Sequence, residues 1–311
     1  MIIALFLLLP AVVASQVSVG NPVLAARIVE LFRTVVLEDD SQGAAADAEA
    51  RRLFASHGLL TIDDVGDEAA YTFVVLLCME GADRERADVL SKARKAVARH
   101  VLAADAAAFC DARRRFDALK TRAARRPPTH PDLRDQLQRM LAVDRDGRQP
   151  EHFDATKMQA IDREHAAALD AIVSRYGVPT YAMVGSDGVT AFVTMVQHQP
   201  PAIRRKVLPM LKAAVDAGQA DPGDYTKVFD RTAHDDGRAQ LYGENLECGP
   251  GETTLHRGPI DDEARVNARR AAMGLVRLEI YERIVIATSP AMCGARPRST
   301  IQSSRPGPAA G

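Results

Sequence analysis

Several polar side chains sit where the apolar spacing calls for a core. Asp162 and His165 are three residues apart, so on a helix they share a face. Met158, Leu169 and Ile172 belong to that same face. A charged residue in an apolar stripe is costly to bury unless it is paired or used. An aspartate beside a histidine can fix the imidazole tautomer and raise its basicity, and a structural hydrogen bond is the other reading of the pair. Gln197-His198 closes the run Ala191 to Val196, which is apolar nearly all round and therefore reads as a central helix. Pro200-Pro201 ends that helix. His198 would then stand at a helix C-terminus on the rim of the core, where the helix dipole favours imidazolium. Asp230 and His234 are four apart, with Arg231 beside them as a fork for a carboxylate or phosphate. Gln240 and Tyr242 alternate onto one face and either line a pocket or cap the core.

These residues suggest a polar cleft. His198 is the expected general acid or base, with Asp162 or Asp230 orienting it, and Arg231, Gln197, Gln240, Tyr242 and His165 are the expected ligand-binding groups. The sequence contains no GxSxG, HExxH, P-loop or GxGxxG pattern. No metal-binding residues are singled out and the absence of CxxC argues against a zinc ribbon, while the motifs leave any cofactor unidentified. A hydrolase-like enzyme acting on a small or anionic ligand is one expectation. A non-catalytic ligand-binding or envelope-interaction protein is the alternative.

The elements that must position these groups are helical. Ala and Arg are abundant and favour helix over sheet. Asn21-Pro22, Pro131 and Asp154 open helices, and Gly177 is suited to stop one. The central stretch from Tyr176 to Gly243 predicts three helices. After it, Gly249-Pro250-Gly251 joins two short extended runs into a small β-hairpin, and Asp261-Asp262 is expected to cap the helix that follows. The expected fold is mainly α, with that hairpin near the C-terminus.

The segments YGVPT, VG-x-x-G, VQH, DR and QLYG resemble those of an uncharacterised bacterial family, a domain of unknown function with the same motif order. In that family a Leu-rich helix carrying D-x-x-x-R and another carrying an Asp precede YG-x-P. A Pro-Ile-Asp-Asp-like segment with an Arg pair follows QLYG. The likeness covers roughly Leu133 to Tyr281, about half the chain. It implies fold and site positions and carries no chemistry, and the family position matched by His165 usually holds Asn.

The chain also resembles itself. His57 to Glu80 aligns with Tyr176 to Gln199, with Gly58 on Gly177, Thr61 on Thr180 and Val65-Gly66 on Val184-Gly185. Cys78-Met79 stands where the second copy has Gln197-His198, and Asp111-Ala112 where it has Asp230-Arg231. A period this long suggests two related helical modules, the first degenerate, and not a solenoid. The expected divisions are a signal peptide over 1–15, a helical module over 21–126, a second over 127–287 carrying the family motifs, and a disordered tail over 288–311.

The chain has 311 residues, with Lys+Arg at 40 against Asp+Glu at 41 and a net charge of -1. That balance argues against nucleic acid as the main partner, and aromatics at 5% with no Trp leave few platforms for stacking bases. The arginines at 113, 114, 115, 122, 125 and 126 read as a solvated face. The apolar run Ile2 to Leu9 is short for a bilayer span and precedes small residues, as in a signal peptide, although no Lys or Arg follows Met1. A periplasmic or secreted protein without a membrane span after cleavage is expected. Four cysteines then allow two disulfides in three pairings. Cys248–Cys293 is the preferred pair, and buried thiols are the alternative reading of Cys78 and Cys110.

Overall fold

Phe73 to Cys78 in one helix, and Ala191 to Val193 with Met195 and Val196 in another, are almost wholly removed from solvent. Each run is apolar all round because each helix is wrapped by others. The computed structural model describes residues 20–288 apart from 39, 80, 150 and 249–254. Within them lie thirteen α-helices and a two-stranded antiparallel hairpin. No helix among the described residues is long and apolar enough to cross a membrane. The expected signal peptide and the tail beyond 288 lie outside the described residues.

The first core gathers α1 (Pro22–Leu37), α2 (Asp40–His57), the short α3 (Ile62–Val65), α4 (Asp67–Met79), α5 (Asp83–Ala98) and α6 (Ala104–Ala124). The second gathers α7 (Pro131–Arg148), α8 (Ala155–Tyr176), α9 (Tyr181–Gln197), α10 (Pro201–Asp216) and α11 (Pro222–Asp235). Helix starts follow local chemistry. Asn21 and Asp154 accept from the amides of Leu24 and Lys157 at 3.0 and 2.7 Å, and Pro22, Pro131 and Pro201 occupy first turns.

Local geometry recurs between the two groups. Thr61 and Thr180 precede their helices at φ/ψ of -111/173 and -113/164. Gly66 and Gly185 follow at 82/165 and 73/172, a positive φ that favours glycine in both places. Ile62 donates its amide to the Val101 carbonyl at 2.9 Å, and Tyr181 donates to Gln219 at the same distance. The central helices α4 and α9 are packed by α1, α2, α5 and α6 in one group and by α7, α8, α10 and α11 in the other.

The hairpin pairs β1 (Leu246–Cys248) with β2 (Leu255–Arg257), Leu246 opposite Arg257. Its expected turn at Gly249-Pro250-Gly251 lies outside the described residues. The next helix begins later than Asp261-Asp262 predicts. Asp262 adopts φ 46, a 3-10 turn spans Glu263–Arg265, and α12 covers Val266–Ala272. Arg269 explains this start, because its guanidinium donates to the carbonyls of Leu241, Asp261 and Asp262 and ties the turn to the loop ahead of it. The last helix, α13 (Leu278–Thr288), returns to the first core, to which Ala271 and Ile280 contribute buried side chains.

Cys78 and Cys110 are joined in a disulfide between α4 and α6, with Cα atoms 5.3 Å apart, so the buried-thiol reading of this pair is corrected. Both are buried side by side, which the sequence could not reveal from residues 32 apart. Cys248 is also disulfide-bonded, and its expected partner Cys293 lies outside the described residues.

Candidate functional site

The stripe Leu133, Leu137, Leu141 on α7 continues, three residues on, with Asp144. A carboxylate in that position must be buried, and only 1% of Asp144 is exposed. His198, the C-cap of α9, lies against it, with Nδ1 3.1 Å from either carboxylate oxygen. Arg148, one turn along α7, donates to Asp144 from Nε at 3.1 Å and reaches across to Asp162 of α8 from Nη2 at 2.7 Å. Gly147 makes this reach short, since a Cβ there would meet Met158 Sδ of α8 at 2.5 Å. Burial pushes the Asp144 carboxyl upward, but the hydrogen bonds from His198 and Arg148 outweigh it and hold it down to about 2.

The ionised Asp144 can only accept, so His198 donates from Nδ1. In its neutral form the ring then presents Nε2 as a free acceptor. His198 keeps 30% of its side chain exposed and lines a cleft of about 230 Å³. The cleft is bounded by the end of α9, by Lys227 and Arg231 of α11, by the loop at Glu244–Leu246 and by Tyr281 of α13. Arg204 supports the α9 end from beneath. It donates to the Gln197 carbonyl at 3.1 Å and pairs with Asp235.

The structure brings Gln197, His198 and Arg231 to this one cleft. Asp162 connects to it only through Arg148 and Asp144. His165 is buried beside that network with Nδ1 unpartnered, and burial pushes its imidazole downward in pKa. Asp230 is fully buried, and its carboxylate accepts from the amides of Leu241, Tyr242 and Glu244 at 2.8 to 3.3 Å. Burial pushes that carboxyl up to about 6, against the opposing effect of the amide bonds. Gln240 is buried and holds both backbone groups of Asn245, accepting at 2.8 Å and donating at 2.9 Å. The Tyr242 ring packs edge-on against Tyr225 and Phe229. Asp230, Gln240 and Tyr242 thus shape the loop that walls the cleft.

The family resemblance pointed to a D-x-x-x-R helix without placing Asp144 and Arg148 in the site, and sequence reasoning passed over Lys227, Glu244 and Tyr281. The α7 periodicity carried the signal for Asp144 and Arg148, whose spacing is D-x-x-x-R on a Leu-rich helix. The four-residue spacing of Lys227 and Arg231 carried the signal for the cationic wall. Among the described residues no group of three or more His, Cys, Asp or Glu is placed to hold a metal ion.

The model of a family of unknown function (DUF6624) matches residues 132–289, just over half of the chain. The chain belongs to this family. The matched segment begins at the helix that supplies Asp144 and Arg148 and ends after the helix that supplies Tyr281, so the whole cleft lies inside the DUF6624 region. No curated protein and no solved structure matches the chain.

Proposed function

We propose that the protein is a periplasmic or secreted, hydrolase-like enzyme whose His198 acts as general acid and base on a small ligand in the cleft. The carrying observation is the Asp144–His198 contact at the mouth of a cavity walled by Lys227 and Arg231. Asp144 takes the orienting role that Asp162 and Asp230 were expected to fill. With Nδ1–H held by Asp144, Nε2 can take a proton from a water molecule as its oxygen adds to the substrate. The imidazolium then returns that proton to the departing group. Proton transfer of this kind contributes roughly 10²–10⁴-fold to a rate.

The two helical groups support a duplication in which one copy kept the site. Where α9 ends in Gln197 and His198, α4 has Cys78 and Met79, and Cys78 is committed to a disulfide. Two cysteine pairings of this kind belong to oxidising compartments, which supports export.

The test is a panel of chromogenic esters, amides and phosphate esters assayed on wild type and His198→Gln. Turnover lost at least about a hundredfold in His198→Gln, with an unchanged melting temperature, supports the reading. Turnover that His198→Gln leaves intact overturns it. Arg148 shares the Asp144 carboxylate and so weakens its pull on His198, which favours ligand binding without turnover as the second reading. Saturable stabilisation by a compound that is never converted would select it.

A further inference from the structure

The cations of α10, the helix packed against α11, have partners. Arg204 pairs with Asp235, Arg205 with Asp236, Lys206 with Asp170 and Lys212 with Asp216. Lys227 and Arg231 differ. Both are exposed, both line the cleft, and neither has a salt bridge among the described residues. The one hydrogen bond of Arg231 is a 3.5 Å contact to Asn245 Oδ1. They stand four apart on α11, so their charges face each other one turn away, which disfavours the empty helix.

The acidic groups nearby relieve them only in part: Asp224 acts on Lys227 from one turn away, but burial and Asp221 push its carboxyl up to about 7. Glu244 lines the same cleft but is 3% exposed and pairs with the buried Arg270 at 2.9 Å. Asp230 is spent on the three loop amides. Two cations without a salt bridge among the described residues, one a planar fork and one a point charge, therefore face a space with a free imidazole nitrogen at its edge.

We propose that Lys227 and Arg231 form a clamp for the phosphate of a small phosphate-bearing ligand; this rests on the reading of the His198 cleft as the functional site. A dianion neutralises both cations, whereas a carboxylate neutralises one. The guanidinium offers parallel donors to two phosphate oxygens. At about 230 Å³ the cleft is smaller than the usual pocket for a drug-sized molecule, so the ligand is compact. Leu246, Val285 and the Tyr281 ring give its non-phosphate part an apolar wall.

Calorimetric titration of the full oxidised chain with inorganic phosphate, against sodium chloride of matched ionic strength, tests the clamp. Saturable phosphate binding at least tenfold tighter than acetate is expected. Lys227→Met with Arg231→Met should weaken it at least tenfold without lowering the unliganded melting temperature, and Arg231→Lys should retain part of it. Absent or unsaturable binding, equal binding of acetate, or unchanged binding in the double variant overturns the clamp. The two readings fail separately. Phosphate binding retained in His198→Gln supports the clamp even where no turnover is found. Turnover that depends on His198 but is indifferent to phosphate and to the double variant overturns the clamp and leaves the acid/base reading standing.

Discussion

Asp144 and His198 are 54 residues apart in sequence and 3.1 Å apart in space, joining the end of a peripheral helix to the end of a central one. The carboxylate is buried while the imidazole reaches the surface of a cleft. This asymmetry makes Asp144 the group that fixes the pair and His198 the group that meets solvent.

The pair sets an acid limb in stability. The folded Asp144 carboxyl is held down to about 2, below its ordinary range near 3.9 in the unfolded chain. The stabilisation is therefore complete above that ordinary range and is lost as pH falls through about 2. It amounts to roughly 2 kcal/mol. Asp144→Asn should unfold at lower urea than wild type at pH 7, and the gap between them should narrow from pH 4 to pH 2. Urea midpoints across that range check it, and parallel curves would contradict it.

Asp224 should behave oppositely. Burial, and then the nearby Asp221, push its carboxyl up to about 7, and Oδ2 has no hydrogen-bond partner. A raised carboxyl favours the fold at low pH, and that advantage is lost as pH rises from about 4 through about 7. Asp224→Asn should melt close to wild type at pH 4 and increasingly above it as pH rises to 8. Melting curves at the two pH values decide it.

Asp230 and His198 should separate cleanly by truncation. Asp230→Ala removes the acceptor of three loop amides and should cost about 1–3 kcal/mol in urea unfolding. His198→Ala leaves Asp144 bonded to Arg148 and should cost about 1 kcal/mol or less. The reverse order would make His198 the structural residue.

The helices were readable because Leu, Val and Ala recur at helical spacing and Asn21, Pro131 and Asp154 mark starts. Asp230 was readable only as a candidate orienting residue for His198, and the structure buries it instead. Its partners were not readable, because they are backbone amides of a loop 11 to 14 residues later, which no side-chain spacing encodes. Asp144 escaped notice for another reason. It opens the run Asp-Arg-Asp-Gly-Arg, which looks like a solvated helix end, and only its three-residue step from Leu141 separates it from the exposed Asp146. The return of α12 and α13 to the first core rests on contacts more than 170 residues apart, beyond any local pattern.

The disulfide should stabilise the first core. Cys78 and Cys110 close a span of 32 residues, for which chain-entropy arguments give about 3–4 kcal/mol. Both residues are wholly buried, so reductant alone should act slowly on the native protein. Thiol labelling after incubation with dithiothreitol should find this pair protected until denaturant is added. Cys78→Ala with Cys110→Ala should lower the melting temperature.

The matched family segment should not fold alone. Arg277 begins the return to the first core. Its guanidinium contacts Asp105 and Asp67 at 2.6 Å each and lies 4.1 Å from the Tyr71 ring centroid, and its amide donates to the Tyr71 hydroxyl. All three partners belong to α4 and α6. Tyr281 and Val285, four and eight residues further along α13, line the cleft. One wall of the cleft is therefore held in place by helices outside the matched residues 132–289. Arg277→Met leaves the largely buried Asp105 without its partner, a loss of about 3–5 kcal/mol for broken buried pairs. It should lower the melting temperature and weaken ligand binding in the cleft together. A chain cut to residues 127–288 should likewise expose Ala271 and Ile280 and fail to unfold cooperatively in a urea titration. A stable, cooperatively folding fragment, or an Arg277→Met variant with full stability, would show that the second helical group holds its cleft without the first.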